Sequence, residues 1–131
     1  MVRMELSRLV ICETNDEQVI YLKEKEGNRT FPIVIGIYEA AAIDRKIRGH
    51  KTPRPLTHDL LANTIREMGA KLVRVLVSEL RDGTFYAKLI VERDAVETEI
   101  DSRPSDAIAL AISTSSPIFV DESVLEAVGA N

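Results

Sequence analysis

The sequence predicts an α+β domain of mostly antiparallel strands, with a helix following each half of the chain. Two observations carry this reading. Short apolar runs bounded by turn residues fill the first third and the middle, as in hairpins. Between and after them the apolar spacing changes to that of helices. A third observation suggests how the halves relate. Sliding the sequence along itself until Glu39 falls on Asp106 lays three strands and a helix on three strands and a helix. At 131 residues, 45% hydrophobic and 29% charged, the chain suits one folded domain over residues 1–131.

The elements follow in order. Residues 4–13 and 18–25 are rich in strand formers, with Asn15-Asp16 turning between them. Gly27-Asn28 turns the chain into Phe31-Pro32-Ile33-Val34-Ile35. Ile37 to Ile47 reads as a helix with Ile43 and Ile47 on one face, and Gly49 closes it. A loop, His50 to Pro55, leads to a second helix marked by Leu60, Leu61, Ile65 and Met68 and ended by Gly69. Strands return at 71–80, at 84–92 after the turn Arg81-Asp82-Gly83-Thr84, and at about 95–101. Pro104 opens a third helix with Ile108, Ala111 and Ile112 on one face. Pro117 to Val120 makes a last short strand, and Asp121 caps a closing helix that runs through Val128 to Gly129.

Composition excludes several classes of function. Cys12 is the single cysteine, so neither an internal disulfide nor a Cys/His zinc set forms the basis of the fold. No GxGxxG, P-loop, GxSxG or HExxH is present, and nothing calls for an organic cofactor. The N-terminus has no apolar signal region, and no apolar stretch is long enough to span a bilayer. This predicts a cytoplasmic protein without a membrane span. Seventeen Lys+Arg against 21 Asp+Glu give a net charge of −4, so any nucleic-acid binding must come from a local patch. With no Trp, three Phe and three Tyr, an aromatic platform for stacking bases is not expected. Apolar residues expected to be exposed on short strands, such as Ile118 and Phe119, suggest a homo-oligomer, a dimer or larger.

The local patch is the stretch from Arg45 to His58, which holds Arg45, Lys46, Arg48, His50, Lys51, Arg54 and His58 and no acid. It has the sign to attract phosphates, or it is an ordinary solvated loop. Within it, Arg54-Pro55-Leu56-Thr57-His58-Asp59 starts a helix. With Thr57 as cap, His58 and Asp59 fall in the first turn, where free backbone N–H groups favour an anion. His58 would take a proton there and Arg54 would grip a phosphate oxygen. Alternatively, Asp59 only complements the helix dipole and His58 bonds within the fold. Asp101-Ser102-Arg103-Pro104-Ser105-Asp106 repeats the theme, either as a site or as a cap with an Arg103–Asp101 ion pair. If the repeat holds, Glu39 and Asp106 are equivalent, and the two carboxylates would share Mg²⁺ or Mn²⁺ or would simply be surface acids.

Taken together, these segments resemble the bifunctional nuclease family. The resemblance rests on Phe31-Pro32-Ile33-Val34-Ile35-Gly36 with Glu39-Ala40, on Arg54 to Leu60, and on Asp101 to Ala107, in this order and spacing. It implies a self-associating α+β domain that acts on both DNA and RNA. For that activity the sequence offers His58, Asp59 and Glu39 as catalytic residues and Arg54, Arg103 and Lys51 as phosphate ligands. Glu39, Asp101 and Asp106 are its candidate metal ligands. The competing expectation is a non-catalytic oligomeric module that binds a protein or a small anionic ligand, with the arginines paired to neighbouring acids.

Overall fold

A computed structural model describes residues 1–130. Seven strands form one sheet: β1 (Val2–Val10), β2 (Gln18–Glu24), β3 (Thr30–Ile35), β4 (Lys71–Arg81), β5 (Thr84–Arg93), β6 (Val96–Ser102) and β7 (Ile118–Val120). The helices are α1 (Ile37–Ile47), α2 (Thr57–Glu67), α3 (Pro104–Thr114) and α4 (Glu122–Val128). The strand order is β3-β2-β1-β7-β4-β5-β6, and every pairing is antiparallel except that of β4 with β7.

This order is a repeat made visible. Two three-stranded meanders, β1 to β3 and β4 to β6, stand on either side of β7. The shift that lays Glu39 on Asp106 also carries the bounds of α1 onto those of α3, and β2 and β3 into β5 and β6. The leading strand of each meander carries a bulge, between Leu6 and Arg8 and between Leu72 and Arg74. Bulges sharpen twist. Five strand steps separate β3 from β5, which a flat sheet would set about 24 Å apart. Yet the rings of Phe31 and Phe85 lie 5.9 Å apart. The sheet is strongly coiled.

Alternation along the strands sends Ile20, Leu22, Phe31, Ile33, Ile35, Val75, Val77, Ala87, Leu89 and Val91 to one face, where they join the helices in one core. Helix α3 is its centre: Ala107 to Ala111 are all buried, as expected of a helix that is apolar almost all round. It packs against both α1 and α2. Helix α2, by contrast, has no fully buried residue.

Several expectations need correction. The first strand ends at Val10 rather than at residue 13, because buried Gln18 ties the backbone of Cys12 and Asn15 into a loop. Leu56, not Thr57, is the N-cap of α2, and the Asp59 carboxylate accepts the Leu56 N–H at 3.1 Å. The short strand β7 is central, so Ile118 is buried and Phe119 is half-buried. Leu60, Met68, Val96 and Ile100 are instead among the exposed apolar residues.

The turns and the strand ends make the fold testable. Asp94 and Ala95 both have positive φ, 51° and 64°, in the turn between β5 and β6. An alanine is disfavoured there, so Ala95→Gly should stabilise the fold by about 0.5–1 kcal/mol in chemical denaturation. Arg29 bonds Glu24 at 2.6 Å and Glu122 at 2.7 Å, tying the end of β2 to the start of α4. Its hydrogen bonds hold both carboxyls below the usual glutamate range. The stabilisation is therefore complete above the unfolded value of about 4.3 and is lost as the pH falls through the lower folded values. Arg29→Met should lower Tm at pH 7, and the gap to wild type should close on acidification.

Candidate active site

The starts of α1, α2 and α3, with the end of α1 and the loop that follows it, line one cleft of about 1190 Å³. Its lining includes Glu39, Lys51, Arg54, His58, Asp59, Arg103 and Asp106. Glu39 comes from α1, Lys51 and Arg54 from the loop that follows it, His58 and Asp59 from the first turn of α2, and Arg103 from the cap of α3. Arg45 and Lys46, at the end of α1, also face it. The basic lining residues Arg45, Lys46, Lys51, Arg54 and Arg103 outnumber the acids Glu39, Asp59 and Asp106. The cleft is thus cationic in a protein of net charge −4.

A connected set of bonds runs through it. His58 Nε2 lies 3.0 Å from Asp106 Oδ1. The other oxygen, Oδ2, accepts Arg103 Nε at 3.0 Å and Nη2 at 2.8 Å. Arg103 Nη2 also lies 3.3 Å from Glu39 Oε1. The chain His58–Asp106–Arg103–Glu39 therefore joins α2, α3 and α1. Local sequence explains the geometry. Arg103 is the N-cap residue of α3 and Pro104 its first residue, which puts Asp106 in the first turn, within reach of the Arg103 side chain. Glu39 holds the matching place in α1, whose cap is Gly36.

The two caps differ in one respect. Gly36 is the repeat counterpart of Arg103, and a Cβ at Gly36 would stand 3.2 Å from Glu39 Oε1. The bare glycine leaves the carboxylate room, and the single guanidinium serves both acids. Its hydrogen bond to Asp106, followed by the charges of Asp106 and Glu39, raises the Arg103 pKa further above its usual value. The Arg103 side chain remains 69% exposed, so its remaining N–H groups are open to a ligand.

His58 is well covered, at 16% side-chain exposure. A carboxylate only accepts, so the neutral ring carries its proton on Nε2 and keeps the Nδ1 lone pair. Asp59 faces Lys46 at 3.5 Å and the Leu56 N–H, a capping role. Arg54 and Lys51 are exposed, and no ion pair engages them among the described residues.

Asp101 is not brought to the others. It pairs in register with Lys88, on the sheet face opposite Ala87 and Leu89, and it does not line the cleft. Arg103 consequently pairs with Asp106 and Glu39 rather than with Asp101. Among the described residues no group of three or more His, Cys, Asp or Glu is placed to hold a metal ion. The donor set of Glu39, Asp101 and Asp106 does not assemble, so these residues do not fit Mg²⁺ or Mn²⁺. Tyr38 and Asn63 also line the cleft and carry no sequence signal of their own. Tyr38 is 84% exposed, and its neighbour Glu39 is the one pointer to it.

The tautomer is directly measurable. Long-range ¹H–¹⁵N NMR of neutral His58 should show the Nε2–H form in wild type and a shift toward a tautomer mixture in Asp106→Ala.

Residues 20–131 match the bifunctional nuclease domain. An uncharacterized protein of Mycobacterium tuberculosis is 42% identical over 117 residues, 89% of this chain and 70% of that protein. Bifunctional nuclease 2 of Oryza sativa subsp. japonica is 27% identical over 118 residues, and the bifunctional nuclease of Oryza minuta 26% over 120 residues. The matches span 87% and 88% of this chain but 36% of each rice protein. No helix among the described residues is long and apolar enough to cross a membrane. With the domain matched from β2 to the C-terminus, the chain belongs to the bifunctional nuclease domain family.

Proposed function

We propose that this protein is a nuclease that hydrolyses phosphodiester bonds of DNA and RNA with little sequence preference. The observation that carries the reading is the His58–Asp106 pair, 3.0 Å apart, set in a cationic cleft beside Arg103. Asp106 orients the imidazole so that its free nitrogen accepts a proton from an attacking water. The water oxygen forms a new bond to phosphorus as the bond to the leaving oxygen breaks. The leaving oxygen takes a proton from solvent, which reaches the open cleft. Arg103, fixed by two carboxylates, stabilises the charge that develops on the phosphoryl oxygens. Arg54 and Lys51 hold the neighbouring phosphates, and contacts to phosphate carry no sequence information, in keeping with low specificity.

Asp59 and Glu39, read from sequence as catalytic, act in this proposal through others. Asp59 caps α2 and so places His58, and Glu39 steadies Arg103. No step is routed through a metal ion, because the expected ligands do not assemble.

The test is cleavage of circular DNA and of a structured RNA by wild type, His58→Ala and Arg54→Ala purified in parallel. Wild type should cut both. His58→Ala should lose at least about 100-fold in rate, the usual worth of a general base. Arg54→Ala should weaken binding and flatten its salt dependence by about one phosphate contact. Equal cutting by all three would remove the activity from this cleft. No cutting by wild type would favour an anion-binding module, for which the pairing of Arg103 with two acids already speaks.

A further inference from the structure

Glu39 and Asp106 occupy equivalent positions of the two repeats, each in the first turn of its helix, and their carboxylates converge on one point. Two carboxylates facing each other repel unless a cation lies between them or one of them is protonated. In many hydrolytic sites a metal ion is that cation. Here the point is filled from within the chain. We propose that the Glu39–Asp106 pair is a cation seat whose resident cation is the Arg103 guanidinium, in place of a divalent metal ion.

Four features support this. Arg103 Nη2 hydrogen-bonds Asp106 at 2.8 Å and makes an ion pair with Glu39 at 3.3 Å, and Nε adds a second hydrogen bond to Asp106. Mg²⁺ demands close to six oxygens at about 2.1 Å, and here Asp106 Oδ1 is already committed to His58. The third carboxylate that a metal would need, Asp101, lies on the far face of the sheet. The rest of the cleft wall carries Arg45, Lys51 and Arg54, whose field repels a dication and draws an anion. A guanidinium also offers what an ion does not: it cannot dissociate, and its planar fork presents the remaining N–H groups in a fixed direction.

The inference concerns what the acid pair binds, so it stands apart from the nuclease reading and is tested without an activity assay. Free Mn²⁺ is followed by electron paramagnetic resonance in titrations of wild type, Arg103→Gln, Arg103→Met and the double variant Glu39→Gln/Arg103→Gln. Circular dichroism checks each fold, and Tm is measured with and without Mn²⁺. Wild type should leave the ion free and its Tm unchanged. Either Arg103 variant should bind Mn²⁺ at least about tenfold more tightly than wild type and gain Tm with it, since two carboxylates are released to a hard cation. The double variant should lose that gain. Stoichiometric uptake by wild type that Glu39→Gln or Asp106→Asn abolishes would overturn the proposal. So would folded Arg103 variants that bind no better than wild type. The wild-type arm, with Glu39→Gln and Asp106→Asn locating any uptake, decides the matter even where the Arg103 variants fail to fold. A wild type that binds Mn²⁺ here and still cuts nucleic acid would sink this inference and leave the proposed activity standing.

Discussion

The two meanders meet through the short strand β7. Ile118, Phe119 and Val120 pair antiparallel with Val2 to Met4 on one side and parallel with Val75 to Val77 on the other. Without β7, β1 and β4 would each end their half of the sheet with a row of unpaired backbone groups. The strand is anchored at both ends, by Val75 N–H to the Pro117 carbonyl and by Asp121 N–H to the Val77 carbonyl. Because β7 fixes the separation of the meanders, it also fixes how far apart α1 and α3 lie on the covered face. The distance between Glu39 and Asp106 is therefore a consequence of a strand to which neither belongs.

Helix α3 ties the packing to the chemistry. Its body is buried in the core, so its first turn cannot shift without disturbing Ala107 to Ala111. That rigidity holds Asp106, and Asp106 in turn holds the side chains of His58 and Arg103. Helix α2 is the opposite case, resting on the body by one partly buried side. Its polar ties to the rest of the domain include the His58–Asp106 bond and the Lys46–Asp59 pair. The proposed base is thus carried on the least buried of the long helices and is aligned by a residue of the most buried one.

Much of this was legible in the residues. Gly36, Gly49, Pro104 and Gly129 punctuate the chain strongly enough that the bounds of α1, the start of α3 and the end of α4 follow from backbone chemistry alone. The repeat was legible as well, because α1 and α3 share their length and place. The insertion of β7 between the halves was not, since it depends on pairing with Val75 to Val77, across the whole of β5, β6 and α3, and with Val2 to Met4 at the other end of the chain. At the site, polar residues at helix starts identified the cleft wall. Their partners were hidden. Asp101 and Ser102 are adjacent on one strand, and in a sheet adjacency means opposite faces. The choice Arg103 makes among the nearby acids rests on side-chain direction, which spacing does not encode.

The unequal caps bear on how such a site arises. A pair of identical βββα units, associated around a true twofold axis, would present the axis with two arginines or with none. Two would repel one another over the acids, and none would leave the acids facing each other bare. One arginine for two acids requires that the halves differ, and a single polypeptide carrying both halves lets each keep its own cap residue. Gly36 and Arg103 are thus a broken symmetry, and the single guanidinium it permits is open to a chain with two unequal halves and closed to a dimer of equal ones.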